Sequence, residues 1–186
     1  MPRHVRGGEG RSSGVLPLVI RAMNLRIATS DDERWINERY ASVHFLTSDL
    51  SRDLVIVAEI DGVPAGIGRL VPAGENACEL GGMLVFEEFR GRGIARAIIE
   101  ELLRNANGRT VYCIPFSELE PIYRGAGFVR VTPDETLPAH VREKLDWCAR
   151  EIDREVVLMQ LPSAATRATP HPPSAPSPLC GGEKAT

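Results

Sequence analysis

The sequence predicts a single α/β domain, and three observations support this prediction. Short apolar runs rich in valine, leucine and isoleucine alternate with segments whose apolar residues recur at helical spacing. The pair Asp61-Gly62 separates two such runs, as in a tight β-hairpin. A further run ends near Phe86, and a glycine-rich turn joins it to an amphipathic helical segment. Strands and helices that alternate in this way are typical of a sheet covered by helices.

Seven runs are predicted as strands because they are short, apolar and bounded by turn residues: residues 25–28, 53–60, 63–71, 79–85, 110–114, 128–131 and 155–161. The second and third form the hairpin, since Asp61-Gly62 supplies the positive φ angles that a tight turn needs. Gly81-Gly82 removes two side chains in the middle of the fourth strand. Such a pair indicates a β-bulge or a place where another group approaches the backbone.

Four segments are predicted as helices, in chain order residues 30–41, 92–105, 117–125 and 138–150. The first and third begin with the capping-box patterns Ser30-Asp31-Asp32-Glu33 and Ser117-Glu118-Leu119-Glu120. The second places its apolar residues on one face, and Gly108 follows its end. The fourth either lines a pocket or covers the sheet, and the sequence favours neither.

The predicted domain occupies residues 23–161, with an extension at each end. Residues 162–186 hold six of the 14 prolines among serine, threonine, alanine and glycine, so we expect disorder there. Residues 1–22 contain one short apolar run, too short for a signal-peptide core or a membrane span. We expect this segment to be disordered as well, translation to begin at Met23, and the protein to be cytoplasmic with no membrane partner.

The charge of the domain excludes one class of partner. Residues 23–161 hold 16 basic and 23 acidic residues, a net charge of −7 against −3 for the whole chain. Nucleic-acid binding needs a basic face, so we expect no nucleic-acid partner. The negative charge either favours a cationic substrate such as an amine or serves solubility alone.

The four cysteines, Cys78, Cys113, Cys148 and Cys180, have neither Cys-x-x-Cys spacing nor companion histidines. We therefore expect no metal site and no disulfide framework.

The turn Arg90-Gly91-Arg92-Gly93-Ile94-Ala95 is a candidate anion site, because it joins a strand to a helix. Glycines let successive backbone N–H groups face one phosphate, and the helix adds its positive dipole end. A dinucleotide-binding fingerprint would need a third glycine in the first βαβ unit, and a P-loop would need Gly-Lys-Ser/Thr. The chain has neither pattern.

The turn also matches the pattern Arg/Gln-x-x-Gly-x-Gly/Ala, and Tyr123 to Phe128 match Tyr-x-x-x-Gly-Phe. In both patterns the sequence resembles the GNAT superfamily of acyl-CoA N-acyltransferases, loosely over residues 23–161. The resemblance implies a mixed, mostly antiparallel sheet of about six to seven strands flanked by helices. The central strands are expected to splay and admit coenzyme A.

The resemblance further implies transfer of an acetyl group from acetyl-CoA to a primary amine of a small molecule or peptide, by direct attack and without a metal. A catalytically inactive acyl-CoA-binding sensor or partner subunit is the alternative function. Members of this family commonly form homodimers, which adds a homodimer to the expected partners.

The residues expected to bind the coenzyme are Arg90, Gly91, Arg92, Gly93, Ile94 and Ala95, with the backbone N–H of Leu84 or Val85 on the thioester carbonyl. Alignment to Arg90 favours Val85, and the side chains of Arg90 and Arg92 either bind pyrophosphate or remain solvated.

Two residues match catalytic positions of the family. Tyr123 is either the general acid for the leaving thiolate or a packing tyrosine. Glu79 is either a general base that works through water or an outward-facing strand glutamate. The chain departs from the family at Phe116, where many members have an asparagine that binds the pantetheine arm. An acyl carrier role for Cys78 or Cys113 is a further alternative.

Acceptor specificity in this family comes from the first helix, the loop after it and the last strands. The candidates in this chain are Trp35, Arg39, Tyr40, His44, Phe45, His140 and Trp147, and they form no diagnostic cluster.

Overall fold

The structure is a computed structural model that describes residues 22–164 and 166. Seven strands form one sheet in the order β1-β2-β3-β4-β5-β7-β6. The strands are β1 Met23–Ile27, β2 Leu54–Ile60, β3 Val63–Pro72, β4 Ala77–Val85, β5 Thr110–Cys113, β6 Val129–Arg130 and β7 Met159–Leu161. The α-helices are α1 Glu33–Ser42, α2 Ile94–Asn105, α3 Glu120–Gly125 and α4 Ala139–Glu151. The pairing of β4 with β5 is parallel and the other pairings in the sheet are antiparallel, so the predicted fold class is confirmed.

The hairpin between β2 and β3 turns where the sequence predicts it. Asp61 has φ 52° and Gly62 has φ 78°, so both central residues adopt the left-handed conformation of a two-residue hairpin turn. The strands it joins supply much of the buried core, in which Ile56 and Ile67 are fully buried.

Helix α2 packs closely on the sheet because β3 carries glycines beneath it. Ile98 and Leu102 of α2 are fully buried. A Cβ atom on Gly68 would lie 2.7 Å from Cγ2 of Ile98, so a larger residue there would push the helix away. This contact sets how closely α2 approaches β3.

Strand β4 contains the bulge that the Gly81-Gly82 pair predicts. Its register with β3 shifts between the pairs Ile67↔Leu84 and Arg69↔Gly81, so β4 has one extra residue. Gly82 has φ 58° and lies against α1, where an added Cβ would be 2.6 Å from the Tyr40 hydroxyl oxygen. The bulge therefore needs glycine for both conformation and space.

Strands β4 and β5 separate midway along the sheet. Their parallel pairing runs from Ala77↔Thr110 to Leu80↔Cys113. Strand β5 then ends, whereas β4 continues to Val85 along β3. The resulting opening at the centre of the sheet is the splay that the family resemblance implies.

Several predicted boundaries differ from the structure. The first helical segment is capped by Thr29 and Asp32, one residue earlier than predicted, because the Thr29 N–H donates to the Asp32 carboxylate at 2.8 Å. The predicted capping box at Ser117 is wrong, since Phe116 is the N-cap and no side-chain capping bond forms. The last strand is shorter than predicted because residues 156 and 157 turn to contact Phe116 and Pro115 instead.

The predicted extensions, residues 1–22 and 162–186, lie outside the described residues except for positions 22, 162–164 and 166. Across the part of the chain that is described, no helix combines the length and apolar character that a membrane crossing requires.

Candidate active site

A groove of about 920 Å³ occupies the opening between β4 and β5. One wall is the end of β4 and the start of α2. The other wall is formed by Phe116 and by helix α3. The groove contacts Leu84, Val85, Arg90, Gly91, Gly93, Ile94 and Ala95, which are seven of the eight residues predicted to bind the coenzyme. The fold therefore brings the predicted turn and the predicted strand end to one surface.

The turn before α2 forms a cradle of backbone N–H groups. Gly91 has φ 75° and Gly93 has φ 76°, and nothing lies within 4 Å of a Cβ built on either residue. Helix α2 begins at Ile94, and the Gly93 N-cap provides no side-chain cap. The first N–H groups of the helix are therefore available to an external anion, and the helix dipole favours negative charge there. This geometry fits a phosphate group.

The side chains of Arg90 and Arg92 in the turn point in different directions. Arg90 lines the groove, together with Arg96 from the first turn of α2. The Arg92 guanidinium turns away, because its Nη2 donates to the Glu88 carbonyl at 3.2 Å and its Cζ lies 5.4 Å from the centre of the Phe89 ring. Of the two predicted arginines, the structure thus places only the Arg90 side chain on the groove.

The backbone of β4 presents an N–H group to the opening at Val85. The Phe86 N–H donates to the Ala65 carbonyl of β3 at 3.0 Å. Successive N–H groups of a strand point in opposite directions, so the Val85 N–H points away from β3. That is the side where β5 has ended. Val85 rather than Leu84 is therefore the residue whose N–H can reach a carbonyl in the groove.

Tyr123 stands where the groove meets a second, smaller cavity. We call this second space the inner cavity; its volume is about 90 Å³, and Met83, Phe116 and Tyr123 line both spaces. Tyr123 is 6% exposed and packs edge-on against Phe128, with 5.9 Å between ring centres. Burial raises its pKa, so its hydroxyl stays protonated at neutral pH. Tyr123 therefore packs in the core, and its protonated side chain borders both spaces.

Glu79 is buried beside Lys144 and lines a separate cavity of about 330 Å³, so the alternative of an outward-facing glutamate is wrong. Its side chain is 1% exposed, and its Oε1 lies 2.5 Å from Nζ of Lys144. Its Oε2 lies 3.7 Å from Nε2 of His140, which is too long for a hydrogen bond. Burial alone would raise the pKa of Glu79, but the Lys144 ammonium outweighs it, with help from His140 and Arg69, and lowers the pKa to about 2. The pairing makes Glu79 a weak base, and its role as the general base stays a prediction.

Helix α4 both covers the sheet and lines the inner cavity, which resolves the two alternatives for it. Val141 is fully buried in a cluster with Leu137. On the next turns, Lys144, Trp147 and Cys148 contact the inner cavity. Lys144 is a site residue that the sequence reasoning missed.

The sequence did contain an indication that Lys144 belongs to the site. It lies four residues after His140 and therefore on the same face of a predicted helix. Arg154 was also missed, and it lines the groove with its Cζ 3.5 Å from the centre of the Phe116 ring. No motif includes Arg154, so the sequence offered no signal for it.

The remaining candidates are dispersed. Phe45 and Trp147 line the inner cavity, whereas Tyr40 is fully buried beside the β4 bulge.

Cys113 is 1% exposed, and burial raises the pKa of its thiol well above the ordinary value. A protonated, enclosed thiol is a poor nucleophile, so the geometry disfavours an acyl carrier role. Within the described residues, no group of three or more His, Cys, Asp or Glu side chains could hold a metal ion.

Comparisons with known proteins identify the family. A sequence profile described as the acetyltransferase (GNAT) family matches residues 22–128. No curated protein matches the sequence.

Solved structures of acetyltransferases resemble the fold. The ribosomal-protein-S18-alanine N-acetyltransferase from Escherichia coli is 14% identical, with a TM-score of 0.56 over 76% of this chain and 94% of that one. The Mycobacterium tuberculosis protein Rv2747, in complex with CoA and NLQ, is 20% identical, with a TM-score of 0.59 over 74% of this chain and 98% of that one. Mutant forms of the spermidine/spermine N-acetyltransferase SpeG from Vibrio cholerae are 14% identical, with a TM-score of 0.51 over 75% of this chain and 92% of that one.

At these identities the likeness to solved structures shows the fold alone, whereas the profile match covers more than half of the chain. With the phosphate cradle, the open sheet and the profile match in agreement, this chain belongs to the acetyltransferase (GNAT) family and is an acyltransferase.

Proposed function

We propose that this protein transfers an acetyl group from acetyl-CoA to a primary amine of a small molecule or peptide, by direct nucleophilic attack within residues 23–161. The observation that supports this most strongly is the placement of Tyr123 at the junction of two spaces. On one side is a groove with a phosphate cradle, and on the other is the inner cavity. A donor and an acceptor that enter from the two sides would meet beside its hydroxyl.

The groove suits an acyl-coenzyme A. The cradle at Gly91 and Gly93 fits the pyrophosphate, and the Arg90 side chain adds a positive charge beside it. The Val85 N–H is placed to donate to the thioester carbonyl. The coenzyme supplies the activated acyl group, and the protein supplies its position.

The transfer needs an attacking amine and two proton movements. The neutral amine nitrogen forms a bond to the acetyl carbonyl carbon, and negative charge develops on the carbonyl oxygen, where the Val85 N–H can stabilise it. The carbon–sulfur bond then breaks. The amine nitrogen loses a proton to solvent, the Tyr123 hydroxyl gives one to the leaving thiolate, and solvent then returns a proton to the Tyr123 oxygen. The products are an acetylated amine and free coenzyme A.

Glu79 enters this proposal as the predicted base that works through water. The contact with Lys144 weakens that role, because a carboxylate with a pKa of about 2 binds a proton poorly at neutral pH. Its contacts also support a positioning role, since it holds Lys144 of α4 against the inner cavity.

The test is release of thiol from acetyl-CoA in the presence of amino acids, polyamines, aminoglycosides and short peptides, with calorimetric binding of coenzyme A on the same sample. Turnover with one acceptor class is the expected result. Tight coenzyme binding without turnover on any acceptor would instead support the sensor alternative. No binding of the coenzyme would contradict both functions.

A further inference from the structure

The charged side chains on the wall of the inner cavity are both cationic. Arg69 from β3 and Lys144 from α4 line it, and among the described residues no Asp or Glu side chain does. Glu79 lies behind this wall, where it pairs with Lys144. The three side chains together leave a net positive charge at the cavity.

Arg69 is the cation on this wall that has no ion-pair partner among the described residues, and its Cζ lies 5.2 Å from the centre of the Tyr40 ring. It is 4% exposed, and its Nη1 donates to the backbone carbonyls of Leu46 at 3.0 Å and Thr47 at 2.6 Å. Within the described chain, its Nε has no hydrogen-bond partner and no carboxylate lies within ion-pair distance of it. A buried guanidinium without an ion-pair partner costs free energy, which an anionic ligand in the cavity that Arg69 lines would recover.

Among the described contacts, the buried acid Asp53 forms no ion pair with Arg69. The Asp53 carboxylate accepts hydrogen bonds from the Ser48 hydroxyl at 2.7 Å and the Asp49 N–H at 3.2 Å. Asp49, Asp53 and Glu79 line a separate cavity of about 330 Å³, which Arg69 and Lys144 also contact. These acids are absent from the lining of the inner cavity, where a second ammonium group of a polyamine would meet the two cations.

The rest of the inner cavity is apolar and small. Its volume is about 90 Å³, and its apolar walls include Phe45, Leu46, Leu80, Ile114, Trp147 and Ile152. A small aliphatic side chain fits such walls, because it buries apolar surface without leaving polar groups unpaired.

We propose that the acceptor is an α-amino acid with a small apolar side chain. Its carboxylate binds at Arg69 and Lys144, its side chain packs on the apolar walls, and its amine faces Tyr123. This assignment rests on the proposed function. The net negative charge of the domain would attract a cationic substrate instead. The positive charge of the cavity wall decides the preference, because it lies closer to the bound acceptor than the other charges do.

Matched acceptors test this on the wild-type protein. Leucine, leucinamide, 3-methylbutylamine and spermidine are compared in the thiol-release assay at one pH. Leucinamide and 3-methylbutylamine keep an aliphatic side chain and an amine but lack the carboxylate. We expect kcat/KM for leucine to exceed that for leucinamide by about 10- to 100-fold, as the loss of a hydrogen bond to a charged group implies. Leucinamide has the less basic amine, so a larger fraction of it is neutral at neutral pH, and amine protonation does not account for a preference for leucine.

A variant connects the preference to the cavity wall. Arg69→Met should lower the ratio of leucine to leucinamide several-fold, mainly through a higher KM for leucine, while Lys144 retains the rest of the preference. Arg52→Met is the matched control, because Arg52 lines the separate cavity and not the inner one, and its ratio should match the wild type. Circular dichroism checks that Arg69→Met folds, and the wild-type panel decides the question without it.

The outcomes separate the inference from the function. If leucinamide or spermidine is acetylated as fast as leucine, the amino-acid assignment is overturned and the proposed acetyl transfer stands. If no acceptor is acetylated, either in this panel or in the wider one, both the proposed function and the amino-acid assignment are overturned.

Discussion

The buried ion pair between Glu79 and Lys144 is expected to contribute measurably to the free energy of unfolding. The pKa of Glu79 falls from an ordinary value of 4.5 to about 2 in the folded protein. By linkage, such a shift corresponds to about 3 kcal/mol of folding free energy. The depressed pKa belongs to an acid, so this stabilisation is fully present above pH 4.5 and is lost as the pH falls toward 2. Glu79 is fully buried, so solvent screening does not reduce it much.

The perturbation is Lys144→Met, which keeps the length of the side chain and removes the ammonium. It leaves the Glu79 carboxylate buried without its partner. We expect the free energy of unfolding at pH 7 to fall by about 3 kcal/mol, near the range of about 3–5 kcal/mol for breaking buried pairs. The double variant Glu79→Gln with Lys144→Met should recover most of this loss, because neither charge then remains.

The assay is urea unfolding followed by circular dichroism at pH 7 and at pH 3. Without Lys144, burial raises the pKa of Glu79 and the carboxylate is already protonated at pH 3, so the deficit should shrink there. Arg150→Met is the matched control, since it removes a positive charge from an exposed position on the same helix. Its effect should stay within about 0.5 kcal/mol. A Lys144→Met deficit equal to that of the control, or one that is unchanged at pH 3, would refute the reasoning.

Three further predictions concern the groove. Tyr123→Phe should lower kcat by about 10²- to 10⁴-fold with little change in calorimetric coenzyme affinity, because only the transition state needs the proton donor; wild-type turnover would remove Tyr123 from the mechanism. Arg90→Ala should weaken coenzyme binding in calorimetry more than Arg92→Ala does, since only the Arg90 side chain lines the groove; equal losses would contradict the observed orientation. Gly93→Asp should weaken coenzyme binding because it places a carboxylate at the phosphate cradle, at a position with φ 76°; unchanged affinity would mean that the phosphate binds elsewhere.

The elements that the sequence predicted well are those decided by neighbours in the chain. The hairpin depends on Asp61-Gly62, the bulge on Gly81-Gly82, and the start of α2 on the glycines before it. Each requires a positive φ angle, which glycine adopts readily and other residues rarely do. The capping box at Ser117 failed for the opposite reason. Capping residues are common, and their pattern does not exclude a neighbouring residue as the N-cap.

The candidate site was predictable only on the side of the glycine-rich turn. A cradle of backbone N–H groups is made by six consecutive residues, so its sequence carries the information. Glu79 was recognised, but its environment was not, because its partner Lys144 is 65 positions away. Arg154 and its ion-pair partner Glu118 are likewise 36 positions apart.

The sequence by itself determined the class of fold, the turns and the glycine-rich turn that is predicted to bind phosphate, because hydrophobic periodicity and glycine conformation act over a few residues. The tertiary structure alone decided where β4 and β5 separate, which side chains face the inner cavity, and that both charged residues on its wall are cations. Those features arise where strands and helices distant in the chain come together, and burial there sets the charge and proton affinity of each group.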